Sequence, residues 1–306
     1  MRHKPIVPSL VVAGSGALWG LFWVPMRALE TRGLEGGWGA VALLVTASVI
    51  ILPLAIWRAR RIVAGGWPLI AAGTLLGAGM VAYADALVAT EVVRVLLLFY
   101  LTPLWSTVAL RIMYGERVTP ARAGAVVLGV LGLIVILDIT APSTMRHNAG
   151  DALALASGVL WALGSIVTYK HARVHSLDLL CVFLIAGAVC TLVIAALPIF
   201  DNATAPSASA MTLGTVTVVV MGIAVTVPTM YAVLWGSKIL EPARVGILLM
   251  AEVVVGVGSA ALFSGEPFGA RELLGTVLIV GAAIVDVTQS GDTGSRKQPL
   301  RSRGDS

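Results

Sequence analysis

The stretch Ser15-Gly16-Ala17-Leu18-Trp19-Gly20-Leu21 recurs, at a separation of 142, as Ser157-Gly158-Val159-Leu160-Trp161-Ala162-Leu163, with five of the seven residues identical. A second echo runs at a separation of 150. There Met80 answers Met230, Ala82 answers Ala232, Glu91 answers Glu241 and Arg94 answers Arg244, and Gly115-Glu116 answers Gly265-Glu266. Apolar identities between hydrophobic segments arise easily by chance, but two Glu, one Arg and one Gly at a single offset do not. The difference between the two separations fits the loop Pro198–Met211. The chain therefore reads as a duplication, with halves at about 1–140 and 150–290 and a polar, basic tail over 291–306 whose composition is that of a disordered segment. Duplication kept only for packing remains the plainer alternative to a functional repeat.

Around this repeat the composition is that of a membrane protein. Of 306 residues, 58% are apolar and 12% charged, and the mean hydropathy is +0.94; soluble domains are nearer a quarter charged. A bilayer-spanning helix needs about 20 predominantly apolar residues. Ten stretches meet this, at about 8–28, 37–56, 67–87, 92–113, 120–138, 152–170, 177–197, 211–236, 243–263 and 269–288. The third and fourth run almost together, and a tight turn near Val88–Thr90 is needed to keep either from exceeding a bilayer. The expected fold is an all-α integral membrane protein of ten transmembrane helices.

Basic residues set its orientation. Placing both termini on one side gives that side Arg2, Lys4, Arg58, Arg60, Arg61, Arg111, Arg117, Arg122, Lys170, Arg173, Lys238, Arg244, Arg296, Lys297, Arg301 and Arg303. The other side receives Arg27, Arg32, Arg94, Arg146 and Arg271, so sixteen against five predicts cytoplasmic termini. Five helices in each half mean that the second half enters the membrane in the opposite sense. Inverted repeats of this kind characterise secondary transporters, whose substrate site lies near the midplane between halves that rock to alternate access.

Several function classes are excluded. The pI near 9.6 reports topology rather than nucleic-acid binding. No GxxxxGK[ST], GxSxG or HExxH occurs, and His3, His147, His171 and His175 all fall in loops or tails, so neither an enzyme, a nucleotide-driven pump, a cofactor nor an intramembrane His-ligated metal is expected. Cys181 and Cys190 sit in one apolar stretch and read as small hydrophobes.

The candidate substrate residues are Trp19, Trp23, Met80, Tyr83, Tyr100, Trp161, Tyr231 and Glu252. Glu252 lies near the centre of the ninth span, where an acid costs roughly 2.5–3.5 kcal/mol and usually faces a wet path; the alternative is a protonated Glu bonded to a neighbouring helix carbonyl. Trp19 and Trp161 occupy equivalent repeat positions and should meet across the pseudo-twofold axis. Trp and Tyr within spans one, three, four, six and eight suit ring-shaped ligands with polar handles, against the alternative of plain packing. Glu91/Arg94 and Glu241/Arg244, each spaced i, i+3, are candidate gate contacts at opposite membrane ends, the alternative being charges that snorkel to water. Trp38, Trp57 and Trp67 lie at span ends as interfacial anchors.

The run Leu98–Trp105 (LFYLTPLW) followed by Gly115-Glu116, the Leu240-Glu241-Pro242 triplet, and Ala251-Glu252 followed by Gly265-Glu266-Pro267 resemble the fourth- and ninth-helix patterns of the EamA family in the drug/metabolite transporter superfamily. The resemblance covers about residues 10–288, and within the family it is nearest the bacterial aromatic amino-acid exporters of the YddG type. It implies a monomeric, multi-pass protein of the bacterial inner membrane, with lipid and a small-molecule substrate as its partners. It also implies export of small amphipathic metabolites, foremost aromatic and other neutral amino acids, through a cavity between spans 1, 3, 4 and 6, 8, 9. Efflux of lipophilic cations, with Glu252 as counter-charge, is the alternative transport function, and a non-catalytic scaffold or receptor is the alternative outside transport.

Overall fold

Proline and glycine decide where the apolar stretches bend. The computed structural model of the chain describes residues 6–116, 118–137, 149–171, 175–195, 206–240 and 242–295, and among these it is all helix and turn. The first stretch is two helices, α1 (Ile6–Gly20) and α2 (Trp23–Glu30). Pro25 has no N–H to donate to Leu21, and the joint tightens into i→i−3 bonds from Leu21, Phe22 and Val24. The fourth stretch breaks in the same way. α6 (Val92–Phe99) and α7 (Thr102–Tyr114) flank a joint at Tyr100–Leu101, because Pro103 cannot donate to Phe99. Thr102 Oγ1 serves that carbonyl instead, at 2.5 Å.

Between these lie α3 (Trp38–Trp57), the short α4 (Ala59–Ala64) and α5 (Gly66–Ala89). Thr90 and Glu91 are extended and separate α5 from α6, just beyond the expected turn. The chain continues through α8 (Pro120–Leu137), α9 (Ala149–Lys170), α10 (Ser176–Ala195), α11 (Ala208–Val220), a π-helical turn at Met221–Thr226 just before Pro228, α12 (Val227–Ile239), α13 (Pro242–Phe263) and α14 (Ala270–Ser295). α14 extends past Gly291 into the stretch that reads as tail, and 296–306 lie outside the described residues.

Among the described residues, seven helical runs are long and apolar enough to cross a membrane: Ile6–Glu30, Trp38–Trp57, Gly66–Ala89, Val92–Tyr114, Ala149–Lys170, Ser176–Ile194 and Ala208–Gly236. Pro120–Ile136 and Leu248–Phe263 are shorter apolar helices. The protein is thus an all-α, multi-spanning membrane protein. The duplicated Gly-Glu pairs recur in backbone form as well as in sequence, since Gly115 and Gly265 both take left-handed φ values, 64° and 74°. In each case a side chain would be strained.

Packing links the halves. α5 lies against α9 and α10, α1 against α12 and α13, α3 against α10, α6 against α9 and α13, and α8 against α14. Two of these contacts are close enough to require glycine. A Cβ on Gly77 would stand 2.5 Å from the Phe183 carbonyl oxygen, and one on Gly20 would stand 2.5 Å from that of Glu252. Backbone-to-backbone approach of this kind is how helices associate where lipid removes the hydrophobic drive between them. It also sets the Glu252 turn of α13 directly against the Trp19 turn of α1.

Candidate functional site

A cavity of about 210 Å³ lies where the halves meet. At about 30 Å³ per water that is room on the order of seven waters, and an apolar hole of about 150 Å³ takes up benzene. α1 contributes Trp19, α5 contributes Gly79, Met80 and Tyr83, and the α6–α7 joint contributes Phe99, Tyr100, Thr102 and Pro103. From the second half come Trp161 on α9, Met230 and Val233 on α12, and Leu249, Met250 and Glu252 on α13. Spans one, three, four, six, eight and nine all supply wall.

The wall is apolar except around Glu252. Tyr83 Oη donates to Glu252 Oε1 at 3.3 Å, and Tyr100 Oη stands 3.0 Å from Oε2 and 2.9 Å from the Leu249 carbonyl oxygen. Both tyrosines are buried and Glu252 is half-buried, and all three stand on the cavity wall. The phenol hydroxyls bridge the halves, from α5 and the α6–α7 joint to α13. Aromatic rings continue the wall from there. Trp19 packs on Phe22 at 4.9 Å, Tyr83 on Phe99 at 5.0 Å, and Trp161 on Phe99 and Phe183 at 6.0 and 6.4 Å.

Six of the eight candidate substrate residues, Trp19, Met80, Tyr83, Tyr100, Trp161 and Glu252, therefore share one cavity. Trp19 and Trp161 both line it, although their ring partners are phenylalanines. Trp23 does not stand on the wall: the Leu21–Phe22 joint turns it toward α13, where Nε1 donates to Ser259 Oγ at 3.0 Å. Tyr231, 37% exposed, also lies off the wall, while its neighbour Met230 is on it. The second methionine was legible as the repeat equivalent of Met80. Phe99 and Thr102 lie within the Leu98–Trp105 run, whereas Leu249 and Met250 carry no signal in sequence apart from their nearness to Glu252.

The candidate gate residues are arranged differently from their spacing. Glu91 precedes the first residue of α6 and is extended (ψ 134°), so no shared helix face joins it to Arg94. Arg94 instead meets Asp151, in the first turn of α9, through Nη2–Oδ2 at 2.5 Å and Nε–Oδ1 at 3.1 Å. Their side chains are only 8% and 5% exposed. Thr90 Oγ1 also donates to Asp151, at 3.2 Å. Gly150 makes this possible, because a Cβ there would lie 2.8 Å from that of Thr90. Beside it, Arg27 Nη2 donates to Glu266 Oε1 at 3.0 Å and to the Thr90 carbonyl at 2.9 Å, and Glu266 Oε2 accepts the Val92 N–H at 2.8 Å. Burial pushes the Glu266 carboxyl above its usual range, opposed by the Val92 amide and the Arg27 charge. Glu241 lies outside the described residues, as does the side chain of Arg244.

Elsewhere Lys170 Nζ pairs with Glu116 at 2.7 Å, and Arg58, which the sequence offers only as a topology marker, is buried against Asp178 at 2.5 Å. Among the described residues no cluster of metal-ligating side chains occurs.

Comparison with known proteins agrees with this architecture. The pattern of the EamA-like transporter family matches residues 7–138 and 148–287, one copy in each half. A protein of Salmonella typhimurium described as a probable amino-acid metabolite efflux pump is 25% identical over 181 residues, 57% of this chain and 60% of its own length. Its Escherichia coli K12 counterpart, with the same description, is 26% identical over 180 residues, with the same coverage. The match thus spans about 60% of these curated relatives. A solved crystal structure, 18% identical, superposes with a TM-score of 0.57 over 95% of this chain and 99% of its own, a likeness of fold.

Proposed function

The chain belongs to the EamA-like transporter family, and on that premise we propose that it exports small amphipathic metabolites, foremost aromatic and other neutral amino acids, across the bacterial inner membrane. The observation that carries this is the cavity at the junction of the halves, walled by Trp19 and Trp161 at equivalent repeat positions and, among the described residues, by one acid, Glu252. Such a wall offers ring faces for an apolar side chain and a charged acceptor for an amino group. The descriptions of the Salmonella and Escherichia relatives as amino-acid metabolite efflux pumps support the substrate class.

Alternating access follows from ten crossings in two inverted halves with both termini cytoplasmic. Two features support it. The most extensive helix contacts are preserved when each span is exchanged with the one five places on. The α5–α9 packing then becomes α12–α1, α1–α13 becomes α9–α6, and α3–α10 and α8–α14 map onto themselves. The ion pairs Arg27–Glu266 and Lys170–Glu116 follow the same exchange. Their acids are repeat equivalents, and the spacing of Arg27 and Lys170 is within one position of that between Trp19 and Trp161. Under the inverted topology these pairs sit at opposite membrane ends. Arg94–Asp151 adds a second pair at the external end and Arg58–Asp178 a second at the cytoplasmic end, so rocking must part ion pairs at whichever end opens.

The test is counterflow of labelled phenylalanine into proteoliposomes holding the purified chain. Saturable uptake, competed by other aromatic and neutral amino acids, is the expected result. Uptake no greater than in empty liposomes for every amino acid would overturn the proposal.

A further inference from the structure

Taking this cavity as the transport site, as above, we propose that it recognises a cationic nitrogen beside an apolar ring and offers a carboxylate no cationic side chain, so that arylalkylamines and amino-acid amides are better ligands than the free amino acids.

Charge on the wall is one-sided. Among the described residues lining the cavity, Glu252 is the sole carboxylate, and Lys, Arg and His are absent. A zwitterion entering here finds a partner for its ammonium, but its carboxylate loses water without gaining a cation and stands near a like charge. Burying an unpaired ion in this way is costly.

Hydrogen-bond accounting points the same way. Tyr100 Oη holds one hydrogen and has two acceptors, Glu252 Oε2 at 3.0 Å and the Leu249 carbonyl at 2.9 Å. Tyr83 spends its hydrogen on Oε1, and Thr102 spends its own on Phe99. With Glu252 ionised, the polar corner is short of donors, and an ammonium brings three. What remains for an anion is slight. At the α7 N-terminus Pro103 has no N–H and the Trp105 N–H returns to Leu101, which leaves an anion the backbone N–H groups of Thr102 and Leu104 but no cation. The indole N–H groups of Trp19 and Trp161 are neutral donors. The ring faces of Trp19, Tyr83, Phe99 and Trp161 instead attract a cation through their quadrupoles. The cavity volume of about 210 Å³ admits one phenyl ring with a short amine-bearing chain.

The experiment is calorimetric titration of the full-length protein in lipid nanodiscs at neutral pH with four probes sharing a phenyl ring and a short chain: 2-phenylethylamine, L-phenylalaninamide, L-phenylalanine and 3-phenylpropanoate. The amine and the amide should bind at least about tenfold tighter than phenylalanine, equivalent to about 1.4 kcal/mol, and 3-phenylpropanoate should not bind. Glu252→Gln, checked for folding by its elution profile, should erase the advantage of the amines; the wild-type ranking decides the matter even where that variant fails to fold. Phenylalanine binding as tightly as the amine, or 3-phenylpropanoate binding comparably, would overturn the proposed recognition while phenylalanine counterflow leaves the exporter standing. Absence of binding by all four, together with absent counterflow, would remove both.

Discussion

Replacing Asp151 with Ala should weaken the fold more than any other single loss of a charged side chain at the end of the bundle where α6 meets α9. The carboxylate makes two bonds to Arg94 at 2.5 and 3.1 Å, and both side chains are nearly sealed from solvent. Two unit charges about 4 Å apart attract by about 4 kcal/mol at an effective dielectric of about 20. Removing one partner of a buried pair costs about 3–5 kcal/mol, because the other charge is left stranded. At about 2–4 °C per kcal/mol for a larger domain, the midpoint of thermal unfolding should fall by on the order of 10 °C. Cys181, fully buried on α10, supplies the reporter: a thiol-reactive dye in detergent reads its exposure as the protein is heated. Asp151→Leu combined with Arg94→Met should recover most of the loss, since no charge is then left alone. An Asp151→Ala midpoint within about 2 °C of wild type, less than one kcal/mol on the same scale, or a double variant no better than the single, would refute the reasoning.

Asp85, on α5, is fully buried and neither carboxylate oxygen has a hydrogen-bond partner among the described residues; Asp85→Val should raise stability by about 1–3 kcal/mol in the same assay, and a lower midpoint would show that the carboxyl is served. Gly20→Ala, whose Cβ would stand 2.5 Å from the Glu252 carbonyl oxygen, should cost about 1–3 kcal/mol and depress phenylalanine counterflow, whereas Gly14→Ala, with nothing within 4 Å, should leave both unchanged. A reporter fused after Ser306 should read cytoplasmic, and a cysteine introduced at exposed Ser207 should label from outside intact cells; an external C-terminus would remove the inverted repeat.

Seven of the ten expected spans recur as long apolar helical runs among the described residues, because span length and hydropathy are local properties, and the turn between α5 and α6 was legible because two fused spans would not fit a bilayer. The duplication is read from Gly115-Glu116 and Gly265-Glu266, polar landmarks in an apolar background whose glycines share a left-handed backbone. The cavity could be named from Trp19, Trp161 and Glu252 because buried amphipathic side chains have few other uses within a membrane. Trp23 was expected on the wall as an aromatic residue within the first span, and the joint ahead of Pro25 rotates the chain between it and Trp19. Glu91 and Arg94 misled for a related reason: the pair straddles a helix start. Asp151, in the other half of the chain from Arg94, belongs to tertiary packing that no spacing rule reports. Arg27–Glu266, which joins the first stretch to the loop after α13, could have been found from symmetry alone, by asking which base on the first stretch matches Lys170.

The most direct test of the account replaces Trp161 with Ala and compares transport of phenylalanine with that of alanine in proteoliposomes, each normalised to folded protein. Trp161 meets Phe99 and Phe183 edge-on and presents its remaining surface to the cavity; aromatic contacts are worth roughly 0.5–1.5 kcal/mol beyond their area. A ring-binding cavity predicts that phenylalanine transport falls several-fold while alanine transport is little affected. Equal losses for the two substrates, or no loss in a well-folded variant, would contradict it.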